Sequence, residues 1–308
     1  MKREDIIDDE DYEEENDEVE EIHEEKKSHK LLNIIILLAI LIVLIFVYAK
    51  YVGTKGLIVK EYRVESSVLS NNFSGVKIVH FSDVLYRSTF DREDLDNLVK
   101  KINLLKPDLI VFTGDLSKIN YKLKNEDIDY LTEKLSSLNA TIGKYAIYGD
   151  QDYSSFVYDK IMEDSNFILL NNSYDEIFNE SNESIYIVGL PSSIKETVNL
   201  DEAFSFYNDL DRKFIIVLVH DGNTIKYIDE SNYETDLILG GHSLNGSIVL
   251  PYLGGLLSEG STYKYSAEEY EKGITKIFIS SGLGTNKYGY RLFNKPSFNL
   301  YRLKALSN

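Results

Sequence analysis

The chain has 308 residues and no cysteine, which excludes disulfides, thiolate metal sites and cysteine nucleophiles. An apolar content of 43% suits a globular protein with a sizeable core, while a net charge of -18 without any cluster of Lys and Arg among aromatics argues against nucleic acid as a partner. The charge is unevenly spread, because residues 1 to 25 hold 15 acidic side chains against Lys2 and Arg3.

In chain order, the acidic leader comes first. Residues 1–30 contain too few apolar side chains to offset the entropy of ordering them, and their like charges repel, so composition predicts a disordered tail. Residues 31–49 follow with Asn33 as the only strongly polar side chain, close to the ~20 residues a helix needs to cross a bilayer. They are predicted to form a transmembrane helix with the lipid bilayer as its partner, making this a single-pass protein of the cell membrane. The rival reading is a signal peptide cleaved after Val47-Tyr48-Ala49, but the apolar run is longer than a usual h-region and its leader is acidic. Lys26, Lys27 and Lys30 precede the span and Lys50 and Lys55 follow it, a bias that predicts an extracytoplasmic main domain.

Residues 56–308 contain no linker long enough to divide them and read as one domain. Leu57 to Val64 is rich in β-branched residues and predicts a strand, as does Val76 to Ser82. Asp91 to Leu105 places Leu95, Leu98, Val99, Ile102 and Leu105 at helical spacing, and Pro107 stops it. Short apolar strands are predicted at Leu109 to Thr113, Lys144 to Tyr148, Ile185 to Leu190, Phe214 to Val219, Leu237 to Leu239 and Lys276 to Ser280, with a helix at Leu131 to Leu138. Alternation of strands and helices, then a strand-rich second half, predicts a layered α/β sandwich.

Five metal-capable side chains stand where these apolar runs give way to turns: Asp83, Asp115, Asp150, His220 and His242. In an open α/β sheet the strand carboxyl ends meet on one rim, so oxygen and imidazole ligands far apart in sequence can converge there. Taken singly, each has a plainer explanation. Asp after Gly is a common turn former or cap, and a histidine after an apolar run is often a buried, hydrogen-bonded one. His80, inside a strand, is expected to be structural, and Asp152 is expected to support a neighbour rather than ligate.

Ser82-Asp83-Val84-Leu85, Thr113-Gly114-Asp115-Leu116, Tyr148-Gly149-Asp150-Gln151-Asp152-Tyr153, Val219-His220-Asp221 and Gly240 to Gly246 resemble, in order and spacing, the blocks of the calcineurin-like metallophosphoesterases. Leu250 to Gly254 and Ser281 to Thr285 are similar to late segments of its membrane-associated bacterial branch. The resemblance implies a four-layer α/β/β/α sandwich with two metals at its strand ends, Asp115 at the shared carboxylate. One metal position draws on residues 83, 85, 115 and 244, but Leu85 and Leu244 cannot coordinate, so that position is expected to be weak or lost. The other draws on Asp115, Asp150, His220 and His242, and implies one divalent cation, Mn, Fe or Zn. Gln151 stands where the family has its acid, and an amide cannot donate a proton as an imidazolium does. The resemblance thus implies a membrane-anchored phosphoester hydrolase with a single-metal site, on a substrate the sequence does not select. The alternative is a catalytically silent relative that serves as a binding module at the membrane.

Overall fold

The computed structural model describes residues 10–118, 120–208, 211–244, 246–250, 254–255, 265, 267–285 and 288–306. Helix α1, Glu10–Tyr51, opens the chain. Its stretch His29–Tyr51 is long and apolar enough to cross a membrane, with a mean hydropathy of 3.2. The helix begins inside the segment that composition predicts to be a disordered tail, and the reason is local. Glu and Lys are good helix formers, and this stretch continues an apolar helix, so each added residue gains a hydrogen bond without a new nucleus.

A second compact unit starts at Ala49. Its elements in order are β1 Ile58–Ser66, β2 Lys77–Phe81, α2 Arg92–Leu105, β3 Leu109–Phe112, α3 Asn125–Ser136, β4 Gly143–Ala146, α4 Tyr158–Asp164, β5 Ile168–Leu169, β6 Ser173–Phe178, β7 Ser184–Gly189, α5 Leu200–Ala203, β8 Ile215–Leu218, α6 Gly222–Asp229, β9 Leu237–Gly240, β10 Val249–Leu250, β11 Gly254–Gly255, β12 Glu269–Lys272, β13 Thr275–Ile279 and β14 Ser297–Ala305. One six-stranded sheet has the order β1-β14-β2-β3-β4-β5, and the other β12-β13-β9-β8-β7-β6. β2 to β5 run parallel, as do β7, β8, β9 and β13.

Three apolar layers hold the sheets in place. Ile78, Val111 and Ile147 of the first sheet side meet Ile187, Leu218 and Leu239 of the second, forming the layer between the sheets. Val79, Ile110 and Phe112 face away and pack under α2, α3 and α4. Val217, Ile238 and Ile279 pack under α5 and α6. β3 and β8 are buried on both faces, which explains why they read as unbroken apolar runs instead of alternating ones. The result is the four-layer α/β/β/α order expected from the sequence.

Helix α2 forms where its spacing predicts. The Asp91 carboxylate accepts from the backbone N–H groups of Glu93 and Asp94 at 3.0 and 3.3 Å, and Asp94 answers with a bond to the Asp91 N–H. It ends at Lys106, in the left-handed region with φ 50°, ahead of Pro107. Helix α3 starts six residues earlier than its apolar pattern indicates, because its first turn is polar and organised by Asp127. That buried carboxylate accepts from Arg87 Nη2 at 2.7 Å, Tyr121 OH at 2.9 Å and Tyr86 OH at 3.1 Å. Burial alone would raise its pKa, but these donors outweigh it and hold the group down to about 2. A depressed folded pKa gives stability that is present above the unfolded value and lost as pH falls through the folded one. Asp127→Asn is therefore expected to cost about 1–3 kcal/mol near neutrality, with the gap to the parent closing between pH ~4 and ~2 in denaturant titrations.

Candidate metal centre

The carboxyl ends of β2, β3, β4, β8 and β9 point to one rim, and each is followed within four residues by one of the five metal-capable side chains. The turns are sharp. Asp83, Asp115 and His242 adopt φ values of 50°, 62° and 64°, left-handed conformations that a non-glycine residue holds only when its surroundings enforce them. The turns also come very close to one another. A Cβ on Gly241 would collide with Ser82 Oγ and Asp83 Oδ2, and one on Gly149 would strike Asp115 Oδ1, so both positions need glycine for close approach.

Four of the five residues gather. Asp115, Asp150, His220 and His242 each offer a ligand atom, all within 4.8 Å of one another, and all four are buried. Asp150 is the hub: its Oδ1 lies 3.1 Å from His220 Nε2 and 3.2 Å from His242 Nδ1, and its Oδ2 accepts from Gln151 Nε2 at 2.7 Å. His220 Nδ1 donates to the Thr113 carbonyl at 2.6 Å, which leaves Nε2 facing Asp150 and, at 3.5 Å, Asp115 Oδ2. Asp115 Oδ1 accepts from the Gln151 backbone N–H at 2.9 Å.

Asp83 is placed on the same rim but outside this group. Its Oδ2 accepts from the His242 backbone N–H at 3.0 Å, and its own carbonyl accepts from Leu283 and Gly284. Beside it, Leu85 and Leu244 are buried, and a Cβ on Gly284 or Gly282 would press into them. Asp83 thus has two leucines, which offer no ligand atom, beside it, while Asp115, Asp150, His220 and His242 form a buried group that could hold a metal ion.

Electrostatics agree with that assignment. Burial would lower the pKa of His220, but the Asp115 and Asp150 carboxylates raise it well above its ordinary value, and Asp150 raises His242 against the same penalty. Burial also opposes ionisation of Asp150, yet the two imidazoles hold it well below the usual carboxylate range. Burial pushes the Asp83 carboxyl up. Imidazole nitrogens must shed their protons before they can ligate, so protons and a cation compete here. Because both histidine pKa values are raised, affinity for Mn is expected to keep rising with pH above the ordinary imidazole range, with proton release on binding; calorimetric titration in two buffers of different ionisation enthalpy checks it.

Residues outside the ligand set carry the site, and sequence reasoning gave them less weight. Asp152 accepts from the backbone N–H groups of Asp115 at 2.7 Å, Leu116 at 3.0 Å and Gly149 at 2.8 Å, binding the turns after β3 and β4 together. Burial, reinforced by the nearby Asp115 charge, pushes it up to about 8 despite those donors. Asp221, next to His220, caps α6 through the N–H groups of Asn223 and Thr224 and accepts from Ser192 and Ser193. His80 bonds Thr113 Oγ1 at 2.9 Å inside the sheet, where burial drives its pKa down to about 3. Arg291, fully buried, donates to the carbonyls of Ser281, Gly282, Gly284 and Asn294 and so fixes the loop behind Asp83. Its only sequence signal is a charge near the motif at Ser281 to Thr285. Asn245 and Pro251–Leu253, named among the family-like segments, lie outside the described residues.

Comparisons with known proteins converge on one family. A family model described as calcineurin-like phosphoesterase matches residues 76–246. The metallophosphoesterase YkuE of Bacillus subtilis (strain 168) is 31% identical over 261 residues, covering 84% of this chain and 89% of that protein. A metallophosphoesterase of Aquifex aeolicus (strain VF5) is 28% identical over 275 residues, covering 84% and 96%. UDP-2,3-diacylglucosamine pyrophosphatase LpxG of Chlamydia muridarum (strain MoPn / Nigg) is 25% identical over 284 residues, covering 74% and 83%. With the motifs at the strand ends, the two facing sheets and this match over more than half its length, the chain belongs to the calcineurin-like phosphoesterase family.

Proposed function

We propose that this protein is a membrane-anchored hydrolase of phosphoester or phosphoanhydride bonds working with one divalent cation held by Asp115, Asp150, His220 and His242. The observation that carries the reading is the convergence of those four ligand atoms within 4.8 Å. Two imidazoles with two carboxylates suit Mn, Fe or Zn, and the oxygen share favours Mn or Fe. A cation bound there would polarise a phosphoryl oxygen and make a water more nucleophilic. The chain's own groups narrow the range of leaving groups. Gln151 Nε2 is engaged with Asp150, and an amide supplies no proton to a departing oxygen. Leaving groups that depart unprotonated, a phosphate or a phenolate, therefore suit this site better than an alkoxide. LpxG, by its name a pyrophosphatase of a diacylated sugar nucleotide, supports a phosphoanhydride on a lipid as a substrate to try.

The apolar span His29–Tyr51 supports anchoring, and the lysine bias across it supports an extracytoplasmic catalytic unit. The test is metal analysis of the purified full chain after loading with Mn, Fe or Zn, followed by assays on aryl and alkyl phosphates and on a pyrophosphate. About one metal per chain with turnover of the aryl ester and the anhydride is expected. Absence of both metal and turnover ends the proposal.

One observation favours a second reading. Leu85 and Leu244, 3% and 0% exposed, fill the second metal position with hydrocarbon, as a catalytically silent binding module would allow. Hydrolysis lost on Asp115→Ala excludes that reading.

A further inference from the structure

Gln151 has two sides. One is bonded to Asp150 and Asp115, and the other lines a cavity of about 430 Å³ formed by the segments after β3 and before α4. Gln151 is thus the one residue shared by the wall of the cavity and the contacts of the candidate metal centre. Leu123, Val157, Tyr121 and Phe156 supply apolar and aromatic wall, while Lys118 and Lys122 supply charge. Phe156 is wholly exposed, at 105% of its reference area, an unusual state for an aromatic ring with no partner to cover it. Lys118 and Lys122 are exposed too, and among the described residues neither makes an ion pair. Elsewhere most of the chain's charge is negative.

The walls are held by the same framework as the ligands. Ser117 bridges Tyr86, the Lys118 N–H donates to the Tyr86 carbonyl at 3.0 Å, and Tyr121 OH bonds Asp127. On the other side Ser154 Oγ donates to the Gln151 carbonyl at 2.7 Å. A pocket with two lysines that no described acid pairs and a bare aromatic ring, beside the candidate metal centre, suits an anion that carries hydrocarbon. A purely polar phosphate leaves the apolar wall wet, and a neutral lipid leaves the lysines unanswered.

We infer that this groove recognises the lipid-phosphate moiety of a lipid phosphoanhydride substrate, with Lys118 and Lys122 on the anionic headgroup and Leu123, Phe156 and Val157 along the chain. The assignment rests on the hydrolase reading for its orientation, with Gln151 at the junction between headgroup and cation. Neither lysine touches the ligand cluster, so both act in selection and not in chemistry.

The chain contains no tryptophan, so Phe156→Trp places a single fluorescent reporter in the groove. The full-length protein in amphipol is titrated with dihexanoyl phosphatidic acid, with glycerol 3-phosphate and with dihexanoylglycerol. Saturable binding of the phosphatidic acid is expected, at least about tenfold tighter than either control, since glycerol 3-phosphate lacks the acyl chains for the apolar wall and the diglyceride lacks the charge for the lysines. Adding Lys118→Ala and Lys122→Ala to the reporter is expected to weaken it by about fivefold or more with an unchanged circular dichroism spectrum. Equal affinity for the neutral diglyceride, equal affinity for glycerol 3-phosphate, no saturable signal, or indifference to the lysine pair each overturns the assignment. Repeating the titration with chelator and with Asp115→Ala separates the two readings. Binding that persists there, with hydrolysis never seen, leaves the groove standing and removes the hydrolase, whereas metal and turnover without selective binding do the reverse.

Discussion

On the hydrolase reading proposed above, Asp115→Ala is expected to abolish cation binding and phosphoester turnover while leaving the fold intact. Asp115 Oδ2 faces His220 Nε2 at 3.5 Å and Oδ1 takes the Gln151 N–H, so the side chain joins the ligand cluster to the turn after β4. Removing it deletes one of four donors and one of two negative charges that offset a buried dication. Since altering even an outer partner of a metal ligand typically costs 10–100-fold in affinity, losing this ligand should exceed about 100-fold. Metal content after dialysis, read beside a circular dichroism spectrum, decides the matter. A variant that keeps its metal places the cation elsewhere. Asp115→Asn, which keeps the volume and one oxygen but not the charge, should fall between the two.

Arg291→Ala should produce the largest loss of stability. The guanidinium is fully buried and satisfies four backbone carbonyls, from Ser281, Gly282, Gly284 and Asn294. Burial depresses its pKa to about 10, with the Asp83 charge acting in the opposite sense, so it remains charged at neutrality. Each buried carbonyl left without a donor costs about 1–3 kcal/mol, and alanine leaves a cavity in addition. A loss above ~4 kcal/mol is expected, a large share of the ~5–15 kcal/mol typical of a folded domain. Lysine should rescue little, because one ammonium cannot span the positions that a planar fork reaches. Denaturant titration of the two variants checks this, and a change within about 1 kcal/mol of the parent would refute the account. The local effect should precede the global one: the loop that Arg291 holds also donates from Leu283 and Gly284 to the Asp83 carbonyl.

The parts legible in sequence share one property, that a single side-chain type in a short window reports its own environment. β3 and β8 are unbroken apolar runs because both faces are covered, and α2 shows its buried stripe, its cap and its stopping proline within sixteen or so residues. The five metal-capable side chains stood out because each follows such a run. What stayed hidden depends on partners distant in the chain. Strand β14 includes Asn299, Arg302 and Lys304 and gives no clean pattern, since its neighbours β1 and β2 lie more than 200 residues away in sequence. Asp152 looks like one more turn aspartate until its three N–H partners are seen. The acidic segment from Glu10 continues the apolar helix as α1, where composition alone predicts no regular structure.

The position of β14 also bears on how the protein is made. It lies between β1 and β2, paired parallel to the first over nine residues and antiparallel to the second, so two strands from the start of the second unit wait for one near its end. A ribosome adding ~5–20 residues each second needs on the order of tens of seconds to travel from β1 to β14. Through that interval β1 has no strand to join and β2 shows an open edge, the kind of surface on which chains pair wrongly. Completion of the first sheet, and with it the seating of Asp83 on its rim, thus waits for β14, more than 200 residues downstream.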